Sequence, residues 1–121
     1  MASILAVDDS ASIRQTVKIT LANAGHTVME AVNGADGLSK ASAAKYDLVI
    51  TDLNMPIMDG MAMIRELRRK PAYAGVPILF LTTESDAGIK SQAKAAGATG
   101  WITKPFAPEQ LAKIVIKVLA K

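Results

Sequence analysis

Acids, a hydroxyl and a lysine stand at the ends of four short apolar segments of the sequence. Asp8 and Asp9 follow the first segment, Asp52 ends the second, and Thr82 and Lys104 follow the other two. Three carboxylates at one site would repel one another and take up protons unless a cation balanced them. An oxygen ligand set without histidine or cysteine favours a hard ion, and magnesium is the usual choice where a phosphate is involved.

A carboxylate in such a cluster can act as a nucleophile toward a phosphoryl group, which yields an acyl phosphate. Phosphoryl transfer also needs neutralisation of the equatorial oxygens by the metal, a lysine and a hydroxyl donor. Lys104 and Thr82 supply the last two parts. The residues therefore predict a phosphoryl-accepting site, but they leave open which carboxylate is the acceptor.

Each of these residues also has an ordinary structural explanation. Asp9 could be the N-cap of a helix, Asp52 could cap the loop that follows it, and Lys104 could be a solvated loop lysine. Their joint occurrence at the ends of separate apolar segments favours the functional interpretation.

The elements that must position these side chains alternate along the chain. Apolar runs predict five strands, at residues 3–7, 27–31, 48–51, 77–81 and 100–103. The first helix is predicted to begin after a cap at Asp9 or Ser10 and to end before Gly25. The remaining helices are predicted near residues 35–44, 60–69 and 86–96, and from Pro108 onward.

Strands that are apolar throughout, each followed by a helix, are typical of a parallel sheet covered on both faces. We therefore predict an α/β fold of the doubly wound (βα)5 type, flavodoxin-like, with a five-stranded parallel sheet and helices on both faces. Functional groups of such sheets gather outside the carboxyl ends of the strands. We expect one domain over residues 1–121, without an output domain.

Composition narrows the classes of partner. The chain has 121 residues, half of them hydrophobic and none of them cysteine, so it can bury a core but cannot form disulfides. The net charge is +3, but the basic residues are spread out and lack interleaved aromatics, so we expect no nucleic-acid partner. The sequence shows no signal-peptide pattern and no apolar run near the roughly 20 residues that span a bilayer. We expect a soluble, cytoplasmic protein without a membrane partner.

Four motifs occur in order: Val7-Asp8-Asp9-Ser10, Thr-Asp-Leu-Asn-Met-Pro-Ile-Met-Asp-Gly at 51–60, Leu-Thr-Thr-Glu at 81–84, and Gly-Trp-Ile-Thr-Lys-Pro-Phe at 100–106. With this order and these separations they resemble the receiver domains of bacterial response regulators over essentially the whole chain. The single-domain chemotaxis regulators of the CheY type are especially similar. The resemblance implies a CheY-like fold and phosphotransfer signalling in a two-component system.

The resemblance also implies a role for each polar residue of the site. Asp52 would be the phospho-acceptor, attacking the phosphohistidine of a sensor histidine kinase. Asp9, Asp52 and the backbone carbonyl of Asn54 would bind Mg²⁺, and Asp8 would act through bound water. Lys104 would pair with Asp52 and later with the phosphoryl group.

Further positions follow from the same resemblance. Thr82 would hydrogen-bond a phosphoryl oxygen and act as the switch, and the peptide bond before Pro105 would be cis. Asn54 and Glu84 occupy positions at which the family tunes hydrolysis of its acyl phosphate. Trp101 departs from the family, which usually has a smaller or tyrosine-like aromatic there. An indole is bulkier and only donates a hydrogen bond, which opposes a complete inward swing.

The implied partners meet the protein at its surface. In CheY-type regulators the fourth helix, fifth strand and fifth helix contact the flagellar motor switch. Here that face would present Lys90, Lys94, Trp101, Lys113, Ile116 and Lys117. The implied partners are a CheA-like sensor histidine kinase, a FliM-like motor switch protein or another output protein, and a phosphatase. We expect a monomeric switch that catalyses only its own phosphorylation and autodephosphorylation and is otherwise not an enzyme.

Two other functions remain open from the residues. The chain could be a phosphorelay or phosphate-sink receiver that does not act on the motor. It could also be a flavodoxin-like nucleotide or flavin binder, but such proteins need a glycine-rich first strand–helix turn. Asp8-Asp9-Ser10 stands at that turn and would repel a phosphate unless a metal intervened, so this alternative is disfavoured.

Overall fold

Strands and helices alternate along the chain, and the computed structural model describes residues 2–53, 55, 57–83 and 87–120. The strands are β1 (Ser3–Val7), β2 (Thr27–Ala31), β3 (Leu48–Asp52), β4 (Ile78–Thr82) and β5 (Gly100–Thr103). The helices are α1 (Ala11–Asn23), α2 (Gly34–Ala43), α3 (Gly60–Arg68), α4 (Ala87–Ala96) and α5 (Pro108–Leu119).

The five strands form one parallel sheet in the order β2-β1-β3-β4-β5. The chain runs from β1 outward to β2 and then returns past β1 to β3, so the strand order reverses between β1 and β3. Ligand sites of open α/β sheets lie at such a reversal, outside the carboxyl ends of the strands. The fold and its strand order therefore confirm the predicted doubly wound architecture.

Apolar side chains form a core layer on each face of the sheet. Leu5, Val7 and Phe80 belong to a cluster that also contains buried residues of α2, α3 and α4. Ile4 and Leu81 belong to the opposite cluster, with buried residues of α1 and α5. Alternate residues of one strand point to opposite faces, so strands buried on both sides must be apolar throughout.

Three polar caps determine where helices begin. Ser10 accepts a hydrogen bond from the backbone N–H of Ile13 and caps α1, which decides between the two predicted caps. Asn33 accepts from the N–H of Asp36 and caps α2. Asp59 caps α3 in the same way. Ser10 and Asn33 come shortly after the carboxyl ends of β1 and β2, and Asp59 ends the loop that leaves β3. The caps therefore help to hold the carboxyl edge of the sheet in place.

Several boundaries differ from the prediction by one residue. The fourth strand begins at Ile78 rather than at Pro77, because proline has no N–H for the ladder. The second helix lies one residue earlier than predicted, since the Asn33 cap draws Gly34 into its first turn. The third helix ends at Arg68. It is followed by a 3-10 turn, Pro71–Tyr73, which was not predicted from the sequence.

Among the described residues, no helix is both long and apolar enough to cross a membrane.

Candidate functional site

Asp8 is a buried carboxylate at the end of β1. Only 2% of the residue is exposed. Its Oδ1 accepts a hydrogen bond from the backbone N–H of Ser10 at 2.9 Å, whereas its Oδ2 is buried without any hydrogen-bond partner. Burial raises the pKa of Asp8 above its usual value of 3.8, and the neighbouring charges of Asp52 and Asp9 add to the rise.

Asp52 and Lys104 face each other across the same edge of the sheet. Lys104 Nζ lies 3.4 Å from Asp52 Oδ1 and 3.7 Å from Asp8 Oδ2. Asp52 Oδ1 also accepts a hydrogen bond from the N–H of Leu53 at 2.8 Å. Both side chains are mostly buried, with 13% of Asp52 and 17% of Lys104 exposed. A single ammonium group therefore faces two carboxylates in a partly desolvated site.

The sheet explains why residues so distant in sequence meet. β1 and β3 are neighbours, with Val7 opposite Thr51, so the acids that follow them adjoin. β4 and β5 are also neighbours, and the backbone N–H of Lys104 donates to the carbonyl of Thr82 at 2.8 Å. The peptide bond between Lys104 and Pro105 is cis, as the resemblance implies.

Three carboxylates form a group of suitable geometry for a cation. One oxygen each from Asp8, Asp9 and Asp52 lies within 4.8 Å of the others. Asp9 is exposed, which leaves the group open to solvent on one side. The Oδ2 of Asp8, which has no hydrogen-bond partner, and the all-oxygen ligand set fit a hard ion such as Mg²⁺, for which the three aspartates would supply ligands directly or through water.

A cavity of about 320 Å³ opens beside Asp52. Its polar lining includes Asp59, Thr82, Thr83 and Lys104, and its apolar wall consists of Leu53, Met61, Leu81 and Ile89. Thr82 is buried, whereas Thr83 is exposed. The structure therefore brings the predicted acceptor, lysine and threonine to the edge of one cavity.

None of the six residues predicted for the partner face lines this cavity, and most of them are exposed. Trp101 is 38% exposed, and Lys90 Nζ lies 4.7 Å above the centre of its ring. The Trp101 ring also packs against Phe80 of the neighbouring strand, with 6.3 Å between the ring centres. Ile116 is 60% exposed. Three further lysines of this face are exposed on α4 and α5, namely Lys94, Lys113 and Lys117.

Two predicted positions, Asn54 and Glu84, lie outside the described residues. Their assigned parts in metal binding and in hydrolysis of the acyl phosphate therefore stay predictions from the resemblance.

Sequence reasoning missed several contributors to the site. A Cβ on Gly60 would lie 2.0 Å from the backbone oxygen of Asp52, so only glycine allows α3 to begin this close to β3. The N–H groups of Ser10 and Leu53 were missed because every residue has one and sequence does not show where it points. The apolar wall from Met61 and Ile89 was also missed. The sequence signal for Gly60 was its place directly after the Asp59 cap.

A family model described as the response regulator receiver domain matches residues 4–116. The chain belongs to this family. Receiver domains take phosphoryl groups from histidine kinases, act on output partners and generally bind Mg²⁺ at an acidic pocket, so this receiver is a component of two-component signalling.

Individual relatives differ in length. The receiver is 36% identical over 120 residues to the protein PilH of Pseudomonas aeruginosa, covering 99% of both chains. It is 37% identical over 117 residues to the transcriptional regulatory protein ResD of Bacillus subtilis, but it spans only 46% of ResD. The solved structure of the chemotaxis response regulator CheY4 of Vibrio cholerae superposes with a TM-score of 0.94, at 48% identity and with 98% of each chain covered.

Proposed function

We propose that this receiver is a phosphorylation switch in which Asp52 accepts the phosphoryl group of a sensor histidine kinase. The supporting observation is that Lys104 Nζ lies 3.4 Å from Asp52 Oδ1, in a site that also gathers Asp8 and Asp9. A lone strand-end acid would need none of these neighbours. The proposal extends to Mg²⁺ as the cofactor and to a chemotaxis output.

The chemical step is a transfer between two nucleophiles. A carboxylate oxygen of Asp52 attacks the phosphorus of the phosphohistidine, and an O–P bond forms while the N–P bond breaks. The imidazole leaves with the electron pair of that bond. Hydrolysis later returns the carboxylate and releases inorganic phosphate.

Neutralisation of charge makes this step possible. Bound Mg²⁺ would supply positive charge for the phosphoryl oxygens, and Asp9, Asp52 and the carbonyl of Asn54 would hold it, with Asp8 acting through water. Lys104 already lies within ion-pair distance of Asp52. Its ammonium can therefore pair with the carboxylate before the transfer and with the phosphoryl group after it.

The switch itself is assigned to Thr82 and Trp101. Thr82 ends β4 beside the cavity, and its hydroxyl would move to bond a phosphoryl oxygen. Trp101 lies opposite Phe80 in the neighbouring strand, within reach of such a movement. Lys90 above the indole ring favours its present position, because a cation over an aromatic face is attracted to it.

The proposed output face combines α4, β5 and α5. Exposed Trp101 and Ile116 among lysines suit a partner surface that is acidic and partly apolar. The likeness to CheY4, described as a chemotaxis response regulator, supports a FliM-like motor switch protein as that partner and a CheA-like kinase as the donor.

Lys104→Ala tests the role of the lysine in the switch. With acetyl phosphate and Mg²⁺ as donor, this variant should still gain a phosphoryl group. Its Trp101 emission, however, should change by less than half of the wild-type change, because the fixed charge that couples the phosphoryl group to β5 is missing. An emission change equal to that of the wild type would contradict the assigned role. Lys45→Ala, at an exposed position between α2 and β3 and outside the proposed output face, is the matched control.

The same samples separate the chemotaxis function from a relay or a phosphate sink. A motor switch should bind the phosphorylated receiver more tightly, and a peptide from a FliM-like protein provides the probe. A relay or sink would take the phosphoryl group without any gain in affinity for this peptide.

A further inference from the structure

A second cavity, the amino-edge cavity, opens at the edge of the sheet opposite to Asp52. Its volume is about 500 Å³, against about 320 Å³ for the cavity beside Asp52. Four of its lining residues directly precede β1, β2, β3 and β4, namely Ala2, His26, Asp47 and Pro77. Val118 and Leu119, at the end of α5, form another part of the lining. Because the strands are parallel, this edge is the far end of the sheet from the phosphotransfer groups.

His26 supplies a hydrogen-bond donor in a fixed orientation. Its Nδ1 accepts a hydrogen bond from the backbone N–H of Ala2 at 3.1 Å. The proton of the neutral ring therefore resides on Nε2, and this N–H has no partner among the described residues. The backbone N–H of His26 donates to the carbonyl of Leu21 at 3.0 Å, so the residue is held at its backbone as well as at its ring.

Asp47 supplies a negative charge that is held in a similar way. Its Oδ2 accepts from the backbone N–H of Ser3 at 2.9 Å, and its own backbone N–H donates to the carbonyl of Ser3 at 2.7 Å. Its Oδ1 has neither a hydrogen-bond nor an ion-pair partner within the part of the chain that the structure describes. One carboxylate oxygen therefore stays available to a cation at the amino-edge cavity.

The spacing of these two groups limits the size of the ligand that can bridge them. β2 and β3 flank β1, so the backbones that carry His26 and Asp47 lie roughly 10 Å apart, which is two strand spacings. The ammonium and carboxylate of an α-amino acid, with a hydrogen bond at each end, span about 9 Å. One α-amino acid can therefore reach both side chains.

The remaining lining offers an apolar surface. Val118 and Leu119 are partly buried and pack against the core cluster on the side of α1 and α5. Pro77 is half-buried at the start of β4. An apolar group placed against these side chains would lose contact with water, which favours binding.

We propose that the amino-edge cavity binds a free α-amino acid with an apolar side chain. The ammonium group pairs with Asp47 Oδ1, the carboxylate accepts from His26 Nε2–H, and the side chain packs against Val118 and Leu119. A lone cation would leave the donor of His26 unused, and a lone anion would be repelled by Asp47. The volume lies within the range of small-molecule sites. This inference goes beyond phosphotransfer and does not depend on it.

A matched set of ligands tests the class of compound on the unchanged protein. The probe is L-leucine, and its two analogues are isoamylamine, which lacks the carboxylate, and isocaproate, which lacks the ammonium group. By titration calorimetry we expect leucine to bind with a dissociation constant of about 1 mM or lower, and each analogue to bind about tenfold more weakly. No binding of leucine, or equal affinities for all three compounds, would overturn the proposal.

Two variants test the assigned contacts. Asp47→Asn keeps an oxygen for the N–H of Ser3 but removes the charge, and His26→Asn keeps an acceptor for the N–H of Ala2 but lacks Nε2–H. Each should weaken the binding of leucine about tenfold. Glu109→Gln removes an exposed acid from the opposite end of α5 and should bind leucine as wild type does.

Melting temperatures without ligand show whether each variant retains its fold. Wild-type affinity for leucine in a folded Asp47→Asn or His26→Asn would overturn the site. Should either variant fail to fold, the comparison of the three ligands on wild type still decides the proposal, because it needs no substitution. Phosphorylation of Asp52 is measured separately, so either result leaves the proposed function intact.

Discussion

Asp8 shows how a single residue can couple the stability of the folded protein to the binding of a cation at the candidate site. It is buried, one of its oxygens has no hydrogen-bond partner, and its pKa is raised chiefly by burial. A carboxyl with a higher pKa in the folded state holds more protons than the unfolded chain between the two pKa values. Its stabilising contribution is therefore complete below the unfolded value and is lost as the pH rises through the folded-state pKa.

Asp8→Asn should therefore stabilise the metal-free protein. In EDTA at pH 7 we expect the variant to be more stable than wild type by about 1 kcal/mol, because no buried charge remains at this position. The difference should shrink as the pH falls toward 3.8, the usual pKa of an aspartate. Saturating Mg²⁺ should raise the melting temperature of wild type more than that of the variant. Thermal melts over this pH range provide the measurement, and a lower melting temperature for Asp8→Asn in EDTA at pH 7 would contradict the account.

At the scale of elements, the site depends on how closely α3 begins beside β3. Gly60 donates its N–H to the carbonyl of Leu53 at 3.0 Å, and its Cα packs against the backbone of Asp52. Any larger residue would push apart the strand that carries Asp52 and the helix capped by Asp59. The geometry of Asp52 is thus set by the start of the helix as well as by its own strand.

Gly60→Ala should lower the free energy of unfolding by about 1–3 kcal/mol, since its Cβ would overlap the oxygen of Asp52. It should also slow phosphorylation by acetyl phosphate, because the acceptor must shift with the strand end. Gly75→Ala is the control, because no atom lies within 4 Å of a Cβ placed there. Chemical unfolding and phosphorylation rates of both variants test this directly. Equal behaviour of the two variants would show that the close contact at Gly60 is unimportant.

The order of the strands and helices along the chain could largely be predicted from the sequence, because burial and polarity leave a visible pattern in it. Strands buried on both faces leave an apolar run, and each run ended at the polar residue that the structure places at the carboxyl edge, as at Asp8 and Asp52. Exact ends were harder to predict, because they depend on single hydrogen bonds. Pro77 shows this: its carbonyl accepts from Val49, so it pairs with β3, yet it lies outside β4 for lack of an N–H. The close approach of Gly60 to the backbone of Asp52 depends on the folded backbone and leaves no trace in the periodicity of the sequence.

At the scale of the whole molecule, the candidate site lies at the carboxyl edge of the sheet, whereas contacts that connect the helices lie near the starts of β4 and β5. Arg68 makes such contacts: it donates to the carbonyls of Gly97, Tyr73 and Val76 and so connects the end of α3 to the turn after α4. Desolvation lowers the pKa of Arg68, but three carbonyl contacts compensate for the buried charge. The two core layers and this connection leave the carboxyl edge free to hold polar groups.

The central claim is that Asp52, at this carboxyl edge, is phosphorylated in a reaction that requires a divalent cation. Intact-mass spectrometry after incubation with acetyl phosphate and Mg²⁺ tests it most directly. The account predicts the gain of one phosphoryl group in wild type and in the control Glu109→Gln, whose exposed acid lies on α5. It predicts no gain in Asp52→Asn and none in EDTA. An equal gain in Asp52→Asn, or in EDTA, would contradict the account.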